Sequence, residues 1–390
     1  MMDLVSVVMP IYNNALFLQE AIESVLNLNY RNIEIIMVDD GSKDHSLDIA
    51  KKHAEMDSRI RLFKHEYNRG TVEALRTAIK HTKGNYIFFA AADDISLPPR
   101  IERCLEIFKS NSNIGIVIAN GITIDKRSIE TDDCWEVPQD INSKNISINQ
   151  FKGNYCLGAM MAVVNDKKVL LKEGMLKYID DYEIAIEYIM NGYDIGICRE
   201  ALVKYRLHEA NISNNRRLMW EKIRNVLKKY EDDEIIENLI KRGHSPKNVY
   251  LTLGIVKNFL QQYTSSKKFL EKADILKDKD KVLTFENKFY LGVVNYKLDS
   301  LEESYKNFQQ AINLDNNEPT VLNNYAVINI LFNRNKELAK ELLHKSLENK
   351  PIYIDARNNL DNMMQGKNSF KVTEKILDKS NLKRMEAKTN

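Results

Sequence analysis

From Asn85 to Pro98 the sequence reads NYIFFAAADDISLP, a short apolar run that passes three alanines and meets two adjacent carboxylates, Asp93 and Asp94. Tyr86 to Phe89 carries no helical period and follows the turn signal Lys83-Gly84-Asn85, a pattern that predicts a strand covered on both faces. Open α/β sheets bind ligands beyond the carboxyl ends of their strands. Two carboxylates at such an end make a seat for a hard divalent cation carrying a diphosphate. The same residues also read as a helix start, with an Asp or Ser before Leu97-Pro98-Pro99 and proline opening the helix. Both readings hold together if Ser96 caps and Asp93 binds metal.

The elements that would position this pair repeat along the first hundred residues. Val5 to Met9 is a β-branched apolar run, so a first buried strand is expected, ended by Pro10. Asn14 then caps a helix with Leu16, Ala21, Ile22, Val25 and Leu26 on its apolar stripe. A second strand, Ile33 to Val38, runs into Asp39-Asp40-Gly41-Ser42, with Asp44 as the next cap. A third, Ile60 to Phe63, leads to Asn68-Arg69-Gly70 and a helix from about Thr71 to His81. This alternation predicts right-handed βαβ units in a parallel sheet.

Acidic and amide groups therefore gather at the strand tips: Asn13, Asn14, Asp39, Asp40, Asn68, Asp93 and Asp94. Carboxylates collected in this way repel one another unless a cation or hydrogen bonds compensate them, which favours a metal-assisted anion site over surface loops that happen to be acidic. No GxGxxG follows the first strand and no GxxxxGK[ST] occurs, which excludes a dinucleotide-binding fingerprint and a P-loop. A net charge of +2 in 390 residues points away from nucleic acid. No apolar run suits a bilayer span, and MMDLVSVVMP lacks the features of a signal peptide. The four cysteines (Cys104, Cys134, Cys156, Cys198) form no CxxC pair and fit core thiols in a reducing cytosol. The Lys, Asn and Ile richness points to an AT-rich bacterial genome.

Four motifs in order, Val7-Val8-Met9-Pro10-Ile11-Tyr12-Asn13, Val38 to Asp44, Asn68-Arg69-Gly70 and Ala92-Asp93-Asp94, resemble those of family 2 glycosyltransferases with the GT-A fold. The resemblance covers roughly residues 3 to 215. It implies an α/β nucleotide-diphospho-sugar transferase domain with a Rossmann-like, mostly parallel sheet. It also implies a donor site at Pro10, Tyr12, Asn13, Asp39, Asp40, Asn68, Arg69, Ala92 and Asp93. Tyr12 would stack on the base and Asp40 accept its imide N–H, with Asp39 in support and Arg69 near base or diphosphate. Asp93 matches the last Asp of the family's DxD motif and would hold Mg²⁺ or Mn²⁺, whereas Ala91 replaces the first Asp. Asp94 is a further candidate at the same strand end.

Ile114 to Ala119 and Gly158 to Val164 read as further strands. Residues 125 to 149 are polar, without period, and predict a mobile excursion over the site. Trp135 within it either contacts acceptor or sugar or anchors the loop. Asp180-Asp181-Tyr182-Glu183 opens a helix that ends at Asn191-Gly192 and resembles the family's Glu-Asp motif. Asp181 would be the general base of an inverting transfer; Asp180 is a second candidate, and either residue also fits a helix cap. Tyr205 to His208, with Ser213 beyond, resembles the closing segment of the domain, where the matching His208 would supply a metal ligand.

Residues 216 to 246 read as a helical linker, and 247 to 365 as an all-α repeat domain. Gly254, Gly292 and Val327 occupy equivalent positions, with spacings of 38 and 35 residues. Ser266, Ser304 and Ala339, then Leu270, Phe308 and Leu343, then Ala273, Ala311 and Ser346 follow at matching offsets. This resembles degenerate tetratricopeptide repeats, which present a concave surface to peptides or mediate self-association. The tail, 366 to 390, carries seven Lys or Arg against three Asp or Glu and suggests a frayed basic helix or a weak membrane-surface contact.

The combined expectation is a cytoplasmic, metal-dependent, inverting glycosyltransferase, peripheral to the membrane if the tail makes that contact. It would take a nucleotide-sugar, by preference a UDP-sugar, and act on a glycan, lipid-linked or protein acceptor one sugar at a time. A homodimer or a protein partner would engage the repeats. The competing expectation, raised by Ala91, is a catalytically impaired GT-A scaffold that acts through the repeats.

Overall fold

In the computed structural model, residues 2–175, 180–209, 211, 215–332 and 334–376 are described. They fall into two compact units, Met1–Glu231 and Asp232–Asn390. In the first, nine strands form one mixed sheet among the described residues: β1 Val5–Ile11, β2 Ile33–Asp39, β3 Ile60–Lys64, β4 Tyr86–Phe89, β5 Ile95–Ser96, β6 Ile114–Ile124, β7 Glu130–Trp135, β8 Met161–Val164 and β9 Asp194–Arg206. Their order is β3-β2-β1-β4-β8-β6-β9-β5, with β7 paired to β6. The four strands β3-β2-β1-β4 run parallel, so their carboxyl ends share one edge. Beyond β4 the sheet turns antiparallel through β8. β1 and β2 are almost wholly buried, as strands covered on both faces require.

Pro10 does not end the first strand. β1 continues to Ile11, with Pro10 opposite Val38 of β2. On its other side the ladder with β4 stops at Val8, so the missing N–H of Pro10 falls where no neighbouring strand would accept it. The first helix spans Leu18–Leu26 and has no side-chain cap. The backbone carbonyl of Asn14 closes its entry, accepting from Phe17 and Leu18 N–H at 2.9 Å each, and Leu16 is 80% exposed rather than on the buried stripe. The helix at Thr71–His81 lies where it was expected.

Ser96 lies in β5, and its hydroxyl accepts from Arg100 Nη1 at 2.9 Å instead of capping. Pro99 occupies the N-cap of the helix Arg100–Ser110. The stretch 125 to 149 is not one loop. It holds β7, a hairpin partner of β6, and the start of a helix, Ile146–Lys152. Cys104, Cys156 and Cys198 are buried free thiols, but Cys134 is exposed on β7.

The segment between the expected domains divides: Arg216–Leu227 belongs to the first unit and Asp232–Lys241 to the second. Among the described residues the second unit then has three helix pairs, Pro246–Phe259 with Tyr263–Ile275, Lys281–Lys297 with Leu301–Leu314, and Pro319–Leu331 with Lys336–Asn349, and a further helix Ile354–Met364. A Cβ on Gly254 would stand 2.5 Å from Leu270 Cδ2, and one on Gly292 2.6 Å from Phe308 Cε1. The glycines thus let the two helices of each pair close on a large side chain. Ser266 Oγ donates to Gly254 O at 2.6 Å, and Ser304 Oγ to Gly292 O at 2.8 Å. The third pair has Val327, Leu343 and Ala339 at these places, and its serine-to-carbonyl bond runs instead from Ser346 Oγ to Pro319 O at 2.8 Å. No helix among the described residues is long and apolar enough to cross a membrane.

Candidate active site

The loops after β1, β2 and β3 are braced against one another. Asn13 N–H donates to Ser42 Oγ at 3.1 Å, and Lys43 N–H returns a bond to Asn13 Oδ1 at 2.8 Å. Ala15 N–H donates to Asp44 Oδ2 at 3.0 Å, while Asp44 Oδ1 accepts from Ser46 N–H at 2.9 Å. Asn13 holds a positive φ of 52°, which asparagine tolerates better than most residues. Gly41 has φ +72°, and a Cβ there would lie 2.7 Å from the Tyr67 backbone. Glycine alone fits that crossing of two loops.

Asp40 is turned into this bracing. Its Oδ1 lies 2.6 Å from His65 Nδ1 and accepts from Arg69 N–H at 2.9 Å. Its Oδ2 accepts from Gly70 N–H at 2.7 Å and from Arg69 N–H at 3.1 Å. The oxygens of Asp40 thus hold the Asn68–Gly70 turn. Asp39 is buried as well, but only its Oδ2 has a partner, Ser42 N–H at 3.3 Å; Oδ1 has none. Tyr12 is 42% exposed, with its ring free to meet a flat partner. Asn68 Oδ1 accepts from Gly70 N–H at 2.9 Å, and exposed Arg69 pairs with Glu73 at 3.2 Å. Pro10 is half-buried and Ala92 buried.

At the end of β4 the chain brings distant residues together. His208 Nε2 lies 2.9 Å from Asp93 Oδ2. Two donor atoms at that separation suit neighbouring positions on one divalent ion, whose ligand distances run about 2.0–2.6 Å. Among the described residues no cluster of three or more His, Cys, Asp or Glu forms, so protein ligands would supply part of a coordination shell and a diphosphate the rest. Asp94 is buried. Its Oδ1 accepts from Arg206 N–H at 2.8 Å, Oδ2 has no partner, and burial followed by the neighbouring Asp93 pushes its carboxyl well above the usual range.

Arg206, 1% exposed, was not singled out by sequence and organises this corner. Its Nε donates to Asp93 O at 2.7 Å, Nη1 to Asp125 O at 3.1 Å and Ser128 Oγ at 2.9 Å, and Nη2 to Glu20 Oε2 at 2.6 Å. Its guanidinium stacks 4.7 Å from the Phe17 ring, and Phe17 in turn lies 5.1 Å from the His208 ring. The guanidinium thus ties the Asp93-Asp94 turn, the β6–β7 hairpin and the first helix to the strand that delivers His208. Arg100 ties the end of β4 to the segment before β8 through Phe89 O at 2.7 Å and Ala159 O at 2.6 Å, and burial lowers its pKa to about 10.

Asp181 sits in the first turn of the helix Asp180–Met190, buried, and accepts from Tyr182 N–H at 2.5 Å. The side chain of Asp180, and Ser213, lie outside the described residues. Trp135 ends β7 opposite Gly121, half-buried. Spacing offers no sign that Arg206 would be buried; the one available signal was its place two residues before the expected metal-ligating histidine.

Residues 6–167 match the family described as Glycosyl transferase family 2. An uncharacterized glycosyltransferase of Rickettsia prowazekii is 31% identical over 233 residues, which cover 59% of this chain and 70% of the relative. The chain thus spans about two thirds of that relative. The E. coli UDP-Glc:alpha-D-GlcNAc-diphosphoundecaprenol beta-1,3-glucosyltransferase WfgD is 29% identical over 268 residues, covering 68% of this chain and 98% of the relative. Among solved structures, S. aureus TarS 1–349 in complex with UDP-GlcNAc has a similar fold. Its TM-score is 0.52 at 14% identity, with 97% of this chain and 98% of that chain covered.

Proposed function

The chain belongs to glycosyl transferase family 2, and from that premise we propose that it transfers one sugar, with inversion, from a UDP-sugar to a lipid-linked glycan. The observation that carries this reading is the Asp93–His208 pair, held at the carboxyl end of β4 where a diphosphate would lie. The named activity of the E. coli relative, matched over 98% of its length, supports uridine as the base and a lipid diphosphate acceptor.

Tyr12 packs on the base, and Asp39 takes the imide N–H that Asp40 cannot accept. Asn68 and Arg69 border the donor, with the turn that carries them held rigid by Asp40. Asp93 and His208 would hold a Mn²⁺ or Mg²⁺ ion, which when bound would supply Lewis-acid stabilisation to the departing diphosphate. Asp181 removes the proton of the acceptor hydroxyl as its oxygen bonds to the anomeric carbon, while the bond from that carbon to the phosphate oxygen breaks. With Ala91 in place of a carboxylate, Asp94 is the remaining acid beside Asp93 at this strand end. The GT-A domain would end near residue 215 and the repeats would begin near 247, resembling a tetratricopeptide array.

The test is direct. The chain is incubated with UDP-, dTDP- or GDP-sugars, Mn²⁺ and a GlcNAc-diphosphate lipid, and the product is analysed by mass spectrometry and anomeric NMR. One added sugar from a UDP donor, of inverted configuration, is expected. Retention of configuration, or turnover of a GDP- or dTDP-sugar in preference, would overturn the reading.

A further inference from the structure

We propose that Lys229 and Tyr230 are positioning residues for the transfer: they hold the helix Asp180–Met190 from behind and so fix where its first turn presents Asp181. The proposal rests on the reading of Asp181 as the base. Residues 181–189 of this helix are all buried, and the acids Glu183 and Glu187 among them are 0% and 2% exposed. Carboxylates so placed need counter-charges and donors. Lys229 Nζ donates to Glu183 Oε1 at 2.6 Å and to Gly174 O at 2.8 Å. Lys172 Nζ donates to Glu187 Oε1 at 2.6 Å, and the Tyr230 hydroxyl donates to Glu187 Oε2. Burial raises the Glu187 pKa, but the bonds from Lys172 and Tyr230 outweigh it and hold the carboxyl below its ordinary range. Burial, and then Glu187, push the Tyr230 hydroxyl above its own.

Glu183 and Glu187 lie one turn apart on one face, whereas Asp181, two residues before Glu183, is turned from that residue by about 200°. The bonds therefore act on the side of the helix away from the base. Lys229 and Tyr230 stand 46 and 43 residues from their partners in sequence. They are placed in turn by the end of the helix Arg216–Leu227. Ile223, Val226 and Leu227 of that helix are buried, and Lys229 N–H donates to Val226 O at 3.1 Å. A base must stand within hydrogen-bond reach of the proton it takes, and a misplacement of about 1 Å costs on the order of a hundredfold in rate. Both the helix of the base and the residues that hold it lie outside residues 6–167, the stretch that matches the family.

The experiment uses the full chain. Transfer from a UDP-sugar to a GlcNAc-diphosphate lipid is followed, with UDP binding in Mn²⁺ measured by calorimetry. Lys229→Met should lower kcat by at least about tenfold and leave the Kd for UDP unchanged, and Lys229→Arg should recover part of the loss. In a chain that already carries Asp181→Asn, the same substitution should cost nothing further, because no base is left to place. Unchanged kcat, a matching loss of UDP binding, or an equal fall in kcat with and without Asp181 overturns the proposal. Turnover by Asp181→Asn alone at the unaltered rate would remove the base, and this proposal with it. Amide exchange tests the hold on the helix apart from that reading. Lys229→Met should speed exchange at residues 184–187 and not in β1 or β2; unaltered exchange at residues 184–187 sinks the proposal. Should Lys229→Met not fold, Tyr230→Phe takes its place, with changes of the same sign expected and the same results overturning it.

Discussion

His208 Nε2 lies 2.9 Å from Asp93 Oδ2 although 115 residues separate them. One comes from the end of β4 and the other from the segment just past β9, and each is held by contacts that involve Arg206 or Phe17. A pair so constructed is preorganised: the ordering of both side chains is achieved on folding and need not be repeated when ligand arrives.

Asp93→Ala should weaken UDP binding at least about tenfold in Mn²⁺ and leave it nearly unchanged in chelator, because ligand loss in metal sites has effects of this order. Titration calorimetry in the two buffers checks this. Equal losses in both would remove Asp93 as a metal ligand. His208→Ala should follow the same pattern.

Asp181→Asn should lower kcat by about 10²- to 10⁴-fold, the usual contribution of a positioned base, with little change in the Kd for donor. The amide keeps the size and the bond from Tyr182 N–H but cannot take a proton. Wild-type turnover by this variant would dismiss Asp181 as the base.

Arg206→Met should destabilise the first unit by about 3 kcal/mol, as breaking a buried charged network does. Glu20, Ser128 and the carbonyls of Asp93 and Asp125 all lose the guanidinium as a donor, although Ser128 still donates to Glu20 and to Asp125 O. Arg206→Lys should recover only part, since one ammonium cannot reach acceptors on three segments. Urea unfolding of both variants, followed by near-UV dichroism, reads the effect.

Glu34 gives the first unit an acid limb. Its burial raises the carboxyl pKa, but bonds from Ser6 Oγ at 2.6 Å, Lys83 N–H and Arg61 at 3.1 Å outweigh that and hold it below its ordinary 4.5. A depressed carboxylate contributes stability that is present above 4.5 and lost as pH falls through the lowered value. Glu34→Gln should therefore be less stable at neutral pH and show a shallower loss below that value. Parallel acid limbs in the two melting profiles would contradict this.

Much of the parallel half of the sheet was legible because burial on both faces demands largely apolar runs, as in Val5–Met9 and Ile33–Val38, each interrupted by one buried polar residue, Ser6 and Glu34, that bond to each other. β7 was not, because ETDDCW lies on a half-solvated hairpin and its charged residues mask any alternation. Pro10 misled because its tolerance depends on where β4 stops, a fact of pairing and not of local sequence. At the site, residue types marked the strand tips, but not which way each carboxylate turns. Asp39 and Asp40 are adjacent and chemically identical, and only the fold assigns one to the Asn68–Gly70 turn and leaves an oxygen of the other unpartnered. In the tail, Lys371–Thr373 is extended chain and not a frayed helix, because asparagines far upstream supply its hydrogen bonds; residues 377–390 lie outside the described set.

The serine-to-carbonyl bonds fall at different places along one array. A hydrogen bond has direction and length, so Ser266 and Ser304 fix the axial register of their helices within the span of the facing helix, at Gly254 and Gly292. In the third pair Ser346 makes that bond to Pro319, the first residue of the facing helix, and the place of the glycine is taken by Val327, whose apolar packing asks only for volume. The first two pairs are thus pinned along their length. The third is hinged at one end, and sequence drift can alter the spacing beyond that end without loss of its core.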